Sequence, residues 1–166
     1  MHRYPLRRWS IAATAALSLL AAPAAFAIVE PEGAYVEAGS YLRSDAELEA
    51  WYGLLHHLRR NFDDICGDTF CEGEYSNIQS LRFSCSVERS NGRVGQCLWS
   101  FAASNEEIDP ATGRIQAQFQ HWRCRAPLAP RTTMEALLGA LAGDTPLRAP
   151  LPGTQSTLYD GLIDCL

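Results

Sequence analysis

Apolar residues recur at helical spacing at Leu48, Trp51, Leu55, Leu58 and Phe62, which gives one apolar stripe over about four turns. Ser44 stands three residues before Glu47, the spacing of a capping box, so a helix starts there and Gly67 can end it. Beyond that helix the period drops to two. Ile78 to Glu88 sets Leu81, Phe83, Cys85 and Val87 on one face, and Val94 to Ala103 does the same with Cys97, Trp99, Phe101 and Ala103. Arg114 to Arg125 turns Ile115, Ala117, Phe119 and His121 to one side and leaves Trp122 on the other, beside Gln116, Gln118 and Gln120. Asn91-Gly92 is the dipeptide of a tight hairpin, and Asp109-Pro110-Ala111-Thr112-Gly113 makes a second turn. These strands form a three-stranded antiparallel meander.

The last third returns to helical spacing. Thr132 and Glu135 form a second capping box ahead of Met134, Leu137, Leu138 and Leu141, with Gly143 placed to end the helix. A stretch holding Pro146, Pro150, Pro152 and Gly153 crosses the surface to a short helix around Leu158 to Leu162. Ile28 to Arg43, with mixed polarity, runs extended over the surface. The expected fold is α+β and disulfide-stabilised: an N-terminal helix, the meander and two C-terminal helices.

The first 27 residues read as an export signal. His2, Arg3, Arg7 and Arg8 give a positive start, Ile11 to Ala22 is apolar, and Ala25-Phe26-Ala27 is a small-x-small cleavage site. The apolar run is shorter than the roughly 20 residues a membrane span needs. Residues 28–166 are then a single mature domain in the periplasm or outside the cell, with no membrane segment. All six cysteines, Cys66, Cys71, Cys85, Cys97, Cys124 and Cys165, lie in it. An even number in an exported chain favours three disulfides, each worth roughly 2–4 kcal/mol, and the absence of C-x-x-C spacing argues against zinc. Connectivity stays open beyond a local Cys66–Cys71 bridge. A hairpin closed at Asn91-Gly92 sets Cys85 and Cys97 only diagonally.

Charge narrows the partners. The chain's net charge is −5, and loss of the three arginines in the signal takes the mature domain to −8. Such a surface repels nucleic acid and anionic lipid and favours a basic protein partner. The densest acidic stretch is Asp63, Asp64, Asp68, Glu72 and Glu74, with Cys66 and Cys71 inside it and Tyr75 beside it as an aromatic anchor. Asp63 and Asp64 sit at a helix C-terminus, where the dipole disfavours them. Oxygen ligands on a cross-linked loop suit calcium, although the spacing is not that of an EF-hand. The competing explanation is a solvated or partner-facing loop, with Arg59 and Arg60 paired to the aspartates one turn on.

No G-x-S-x-G elbow, H-E-x-x-H motif or spare cysteine points to nucleophilic catalysis. Glu106, Glu107 and Asp109 lie in a strand connection and read as solvated. His56 and His57 flank the apolar helix face, His121 reads as a core histidine, and Trp122 is the tryptophan expected to be exposed as an interface anchor. Two function classes follow. One is an exported binding protein, such as an inhibitor or immunity protein, that recognises a protein partner. The other is a small exported hydrolase, with or without metal assistance, using His121 or His56 with the acidic loop.

Overall fold

A long helix lies across one face of an antiparallel sheet in the computed structural model, which describes residues 34–166. The expected export signal and cleavage site lie outside those residues. The element order is β1 (Tyr35–Glu37), α1 (Ala38–Tyr41), α2 (Asp45–Thr69), β2 (Gln79–Glu88), β3 (Val94–Ile108), β4 (Ile115–Arg125), α3 (Met134–Ala140), a 3-10 turn (Pro146–Arg148) and α4 (Leu158–Ile163). The sheet has four strands in the order β1-β2-β3-β4. The extra strand comes from the stretch expected to run extended over the surface without pairing to the sheet, because Tyr35–Glu37 pairs with Glu88–Ser86. The described residues, 34–166, fall in one compact unit. No helix among the described residues is long and apolar enough to cross a membrane.

The capping box forms as its spacing predicts, with Ser44 Oγ accepting from the Glu47 N–H and the Glu47 carboxylate accepting from the Ser44 N–H. Bonds donated to the Glu47 carboxylate by the Ser44 N–H, the Ser44 hydroxyl and the Arg43 N–H hold it below its ordinary value, the Ser44 N–H contributing most. The helix runs past Gly67 to Thr69 and buries Trp51, Leu54, Leu58, Phe62 and Cys66. Phe62 packs at 4.7 Å from Phe101, and Trp51 at 6.1 Å from Phe83, so helix and sheet meet through aromatic rings.

Two register shifts alter the expected faces. Trp99 is buried, and its indole N–H donates to Ser80 Oγ at 2.9 Å. A bulge between Ser80 and Arg82 turns Ser80 inward to accept that bond, and Leu81 is thrown out to 53 % exposure. At the other end of β2 the turn holds four residues, Arg89 to Gly92, closed by Glu88 N–H donating to Arg93 O. Gly92 takes φ +71° there, and a Cβ on it would lie 2.5 Å from the Tyr41 hydroxyl. A second bulge at Gly95 then brings Cys85 directly opposite Cys97 instead of diagonal to it. Three disulfides result: Cys66–Cys71, Cys85–Cys97 and Cys124–Cys165, with Cα separations of 5.1, 4.1 and 5.5 Å.

The C-terminal segment covers the same sheet face as α2. α3 packs beside α2 and is capped by Thr133, not Thr132; Thr132 is buried and donates its hydroxyl to Ala129 O. The 3-10 turn lies on α2, and α4 meets β4, capped by Thr157 and Asp160. The fold is therefore two-layered, with one sheet face left uncovered.

Candidate functional site

The far half of the β3–β4 hairpin extends beyond everything else in the fold. β2 reaches β3 only as far as the pair Gln79–Ala102, where Asn77 takes over. Its side chain accepts from the Ser104 N–H and donates to Ser104 Oγ, both at 3.0 Å, occupying the place of a neighbouring strand. Past Ser104 the hairpin is a two-stranded ribbon in unbroken register from Ser104–Phe119 to Ile108–Ile115. Those pairs span about 14 Å. Asp109 closes the tip by accepting from the Ala111 and Thr112 N–H groups at 2.8 and 3.2 Å. The Ala111 bond is the main cause of its carboxyl lying below the ordinary aspartate value.

Facing pairs in a ladder share a side, so the side of each residue follows from Trp99 and Phe101, which point at α2. Trp122 and Cys124 lie opposite Phe101 and Trp99 and face inward. Ile115, Ala117, Phe119 and His121 share the other side and face solvent, with Phe119, Ile108 and Ile115 exposed to 75, 69 and 68 %. The alternation on β4 follows the sequence, but its direction is the reverse of the expected one. Trp122 is half-buried, edge-on to Tyr75 at 5.7 Å, and His121 is exposed. The reason is the disulfide: Cys124 has the parity of Trp122, and its bond to Cys165 draws that parity to the core side.

The acidic stretch lies at the same end of the molecule. α2 starts beside the β2–β3 turn, where Tyr41 meets Gly92, and finishes with Cys66 beside Ile78, next to the root of the ribbon. Asp63, Asp64, Asp68, Glu72 and Glu74 are all exposed. The loop that carries the last two is tied down by Cys66–Cys71, by Phe70 stacked on Phe62 at 6.0 Å, by Tyr75 on Trp122 and by Asn77 on Ser104. Tyr75 thus holds the loop to the sheet. Arg59 does not pair with Asp63; its guanidinium reaches across to the carbonyls of Ser80 and Leu81 at 3.4 and 3.5 Å. Among the described residues the ion pair within range is His57 Nε2 with Asp144, at 3.7 Å. None of the five carboxylates of this stretch, nor Glu106, Glu107 or Asp109 on the ribbon, has a cation within ion-pair distance among the described residues, although Asp64 lines a groove with Arg148 and Arg114 stands at the ribbon tip.

Among the described residues no three His, Cys, Asp or Glu side chains come close enough to hold a metal ion. The acidic loop spreads its carboxylates over the surface and does not fold them around a point. His56 lines a groove of about 390 Å³ between α2 and β2 with Trp51, Tyr52, Arg59 and Leu81, while His121 stands on the outer sheet face. Neither histidine is gathered with the acidic loop. Comparison with known proteins gives no match to a family model, a curated protein or a solved structure.

Proposed function

We propose that this is an exported binding protein of the inhibitor or immunity kind, acting in the periplasm on a basic protein partner. The observation that carries the reading is the convergence of unpaired carboxylates from three elements on one end of the fold. Asp63, Asp64 and Asp68 come from α2, Glu72 and Glu74 from the pinned loop, and Glu106, Glu107 and Asp109 from the ribbon. Charge of one sign on one end steers a cationic surface toward it and speeds encounter. The loop is already ordered by its disulfide and its anchors, so binding costs little further chain entropy. Ile108, Ile115 and Phe119 supply the apolar contact that charge alone lacks.

The test is capture from a periplasmic extract by the mature protein at low and at moderate salt. Wild type is compared with a variant carrying Asp63→Arg, Asp64→Arg, Glu72→Arg and Glu74→Arg. The expected result is a partner of basic isoelectric point whose capture falls about tenfold or more in the variant and weakens with salt. A partner held equally by both proteins removes this end from the mechanism.

A further inference from the structure

Among the described strands, β4 carries the longest open edge, and we propose that it pairs antiparallel with the same edge of a second copy, about a two-fold axis through Gln118. The backbone direction follows from the hairpin ladder. Asp109 N–H donates to Arg114 O and Ala126 N–H to Cys97 O, at the two ends of an unbroken register. Even-numbered residues of β4 therefore bond to β3, and Ile115, Ala117, Phe119, His121 and Arg123 direct their N–H and C=O groups outward. Folded proteins guard such edges with charge, proline or a bulge. From Ile115 to Gln120 there is none of these.

The occupant is a second copy because the strand complements itself. In the Gln118 register Ala117 faces Phe119 of the second copy, so a small side chain meets a large one. Ile115 faces His121, Gln116 faces Gln120, and Gln118 faces itself across the axis. Outward-pointing odd residues meet odd residues, which allows about eight backbone hydrogen bonds. Charge agrees with this direction. The ribbon tip holds Glu106, Glu107 and Asp109 against the single cation Arg114, and so stays net negative, whereas the outer face at the hairpin base holds Arg123, Arg125 and, from β2, Arg82. Antiparallel pairing lays each tip along the other's base, with Asp109 two strand spacings, about 10 Å, from the base of the second copy. An isolated two-stranded ribbon is marginal in water, and pairing makes it four-stranded. The Phe119 faces of both copies then form one apolar platform. This inference does not rest on the proposed basic partner.

The experiment uses the mature protein with its native disulfides. Its mass by light scattering should rise from one copy to two with concentration. Gln118 lies in a non-hydrogen-bonded pair, where facing Cα atoms stand about 4.5 Å apart, a spacing a disulfide accepts. Gln118→Cys should therefore give a covalent dimer on oxidation, at least tenfold faster than Gln116→Cys or Gln120→Cys alone, while a mixture of those two should cross-link to each other. Charge reversal at Asp63, Asp64, Glu72 and Glu74 should leave the mass unchanged. A single-copy mass at every concentration overturns the proposal, as does equal cross-linking by all three cysteine variants. Loss of the dimer on reversing the α2 and loop charges moves the contact away from β4 and overturns it as well.

Discussion

The two halves of the β3–β4 hairpin are built from the same alternating code and end in opposite environments. Near the base, Trp99 and Phe101 face Cys124 and Trp122 under α2, with Phe101 fully buried. Beyond Ser104 the strands continue in the same register, and both sides stand in water. The difference lies in what is available to cover them. α2 stops at Thr69 and the loop from it turns back at Asn77, so no layer exists for the far half to pack against. Alternation fixes which residues share a side. The covering layer decides whether that side is core or surface.

The base should respond most to change. Removing Cys124–Cys165, whose cysteines are 41 residues apart, is expected to cost about 3 kcal/mol in chemical denaturation, since it frees the C-terminal segment from β4. Amide exchange in the ribbon should stay as it is, because the bridge lies at the base of the hairpin, outside the pairs from Ser104–Phe119 to Ile108–Ile115. Trp122→Ala comes next, at about 2 kcal/mol for a half-buried aromatic that also loses its contact with Tyr75. That variant should speed exchange in the acidic loop. An unchanged loop would show that Tyr75 and Trp122 do not couple it to the sheet.

The smallest effect is confined to the tip. Asp109 has a folded carboxyl below the ordinary aspartate value, chiefly through the Ala111 N–H, so its contribution is present above the unfolded value and is lost as pH falls through the folded one. Acid should loosen the turn at Ala111 and Thr112, visible as faster amide exchange there, while the base keeps its protection. Asp109→Asn should remove most of that pH dependence.

Much of the fold was legible in the residues. The Ser44 box, the stripe through Trp51, Leu58 and Phe62 and the inward parity of Cys97, Trp99 and Phe101 all rest on local spacing and appear as expected, except that Leu54 takes the buried place expected for Leu55. The departures have tertiary causes. Ser80 turns inward because a buried indole needs an acceptor, and Tyr35–Glu37 becomes a strand because β2 offers an edge at Ser86–Glu88. Phe119 was expected inside on hydrophobicity alone. The signal that corrects it is present in the chain: Cys124 belongs with the core, and Trp122 shares its parity. The acidic end was half visible, because Asp63 to Glu74 is contiguous in sequence whereas Glu106, Glu107 and Asp109 join it only through the topology.

The central claim, that one hairpin serves the core at its base and a surface at its tip, is tested most directly by comparing Phe101→Ala with Phe119→Ala in the same denaturation experiment. Both delete one phenyl ring from the outer half of this four-stranded sheet. At a dilution where the protein is a single copy, Phe101→Ala is expected to lose about 3–5 kcal/mol, and Phe119→Ala to stay within about 0.5 kcal/mol of wild type. A comparable loss from both would put Phe119 in the core and contradict the account.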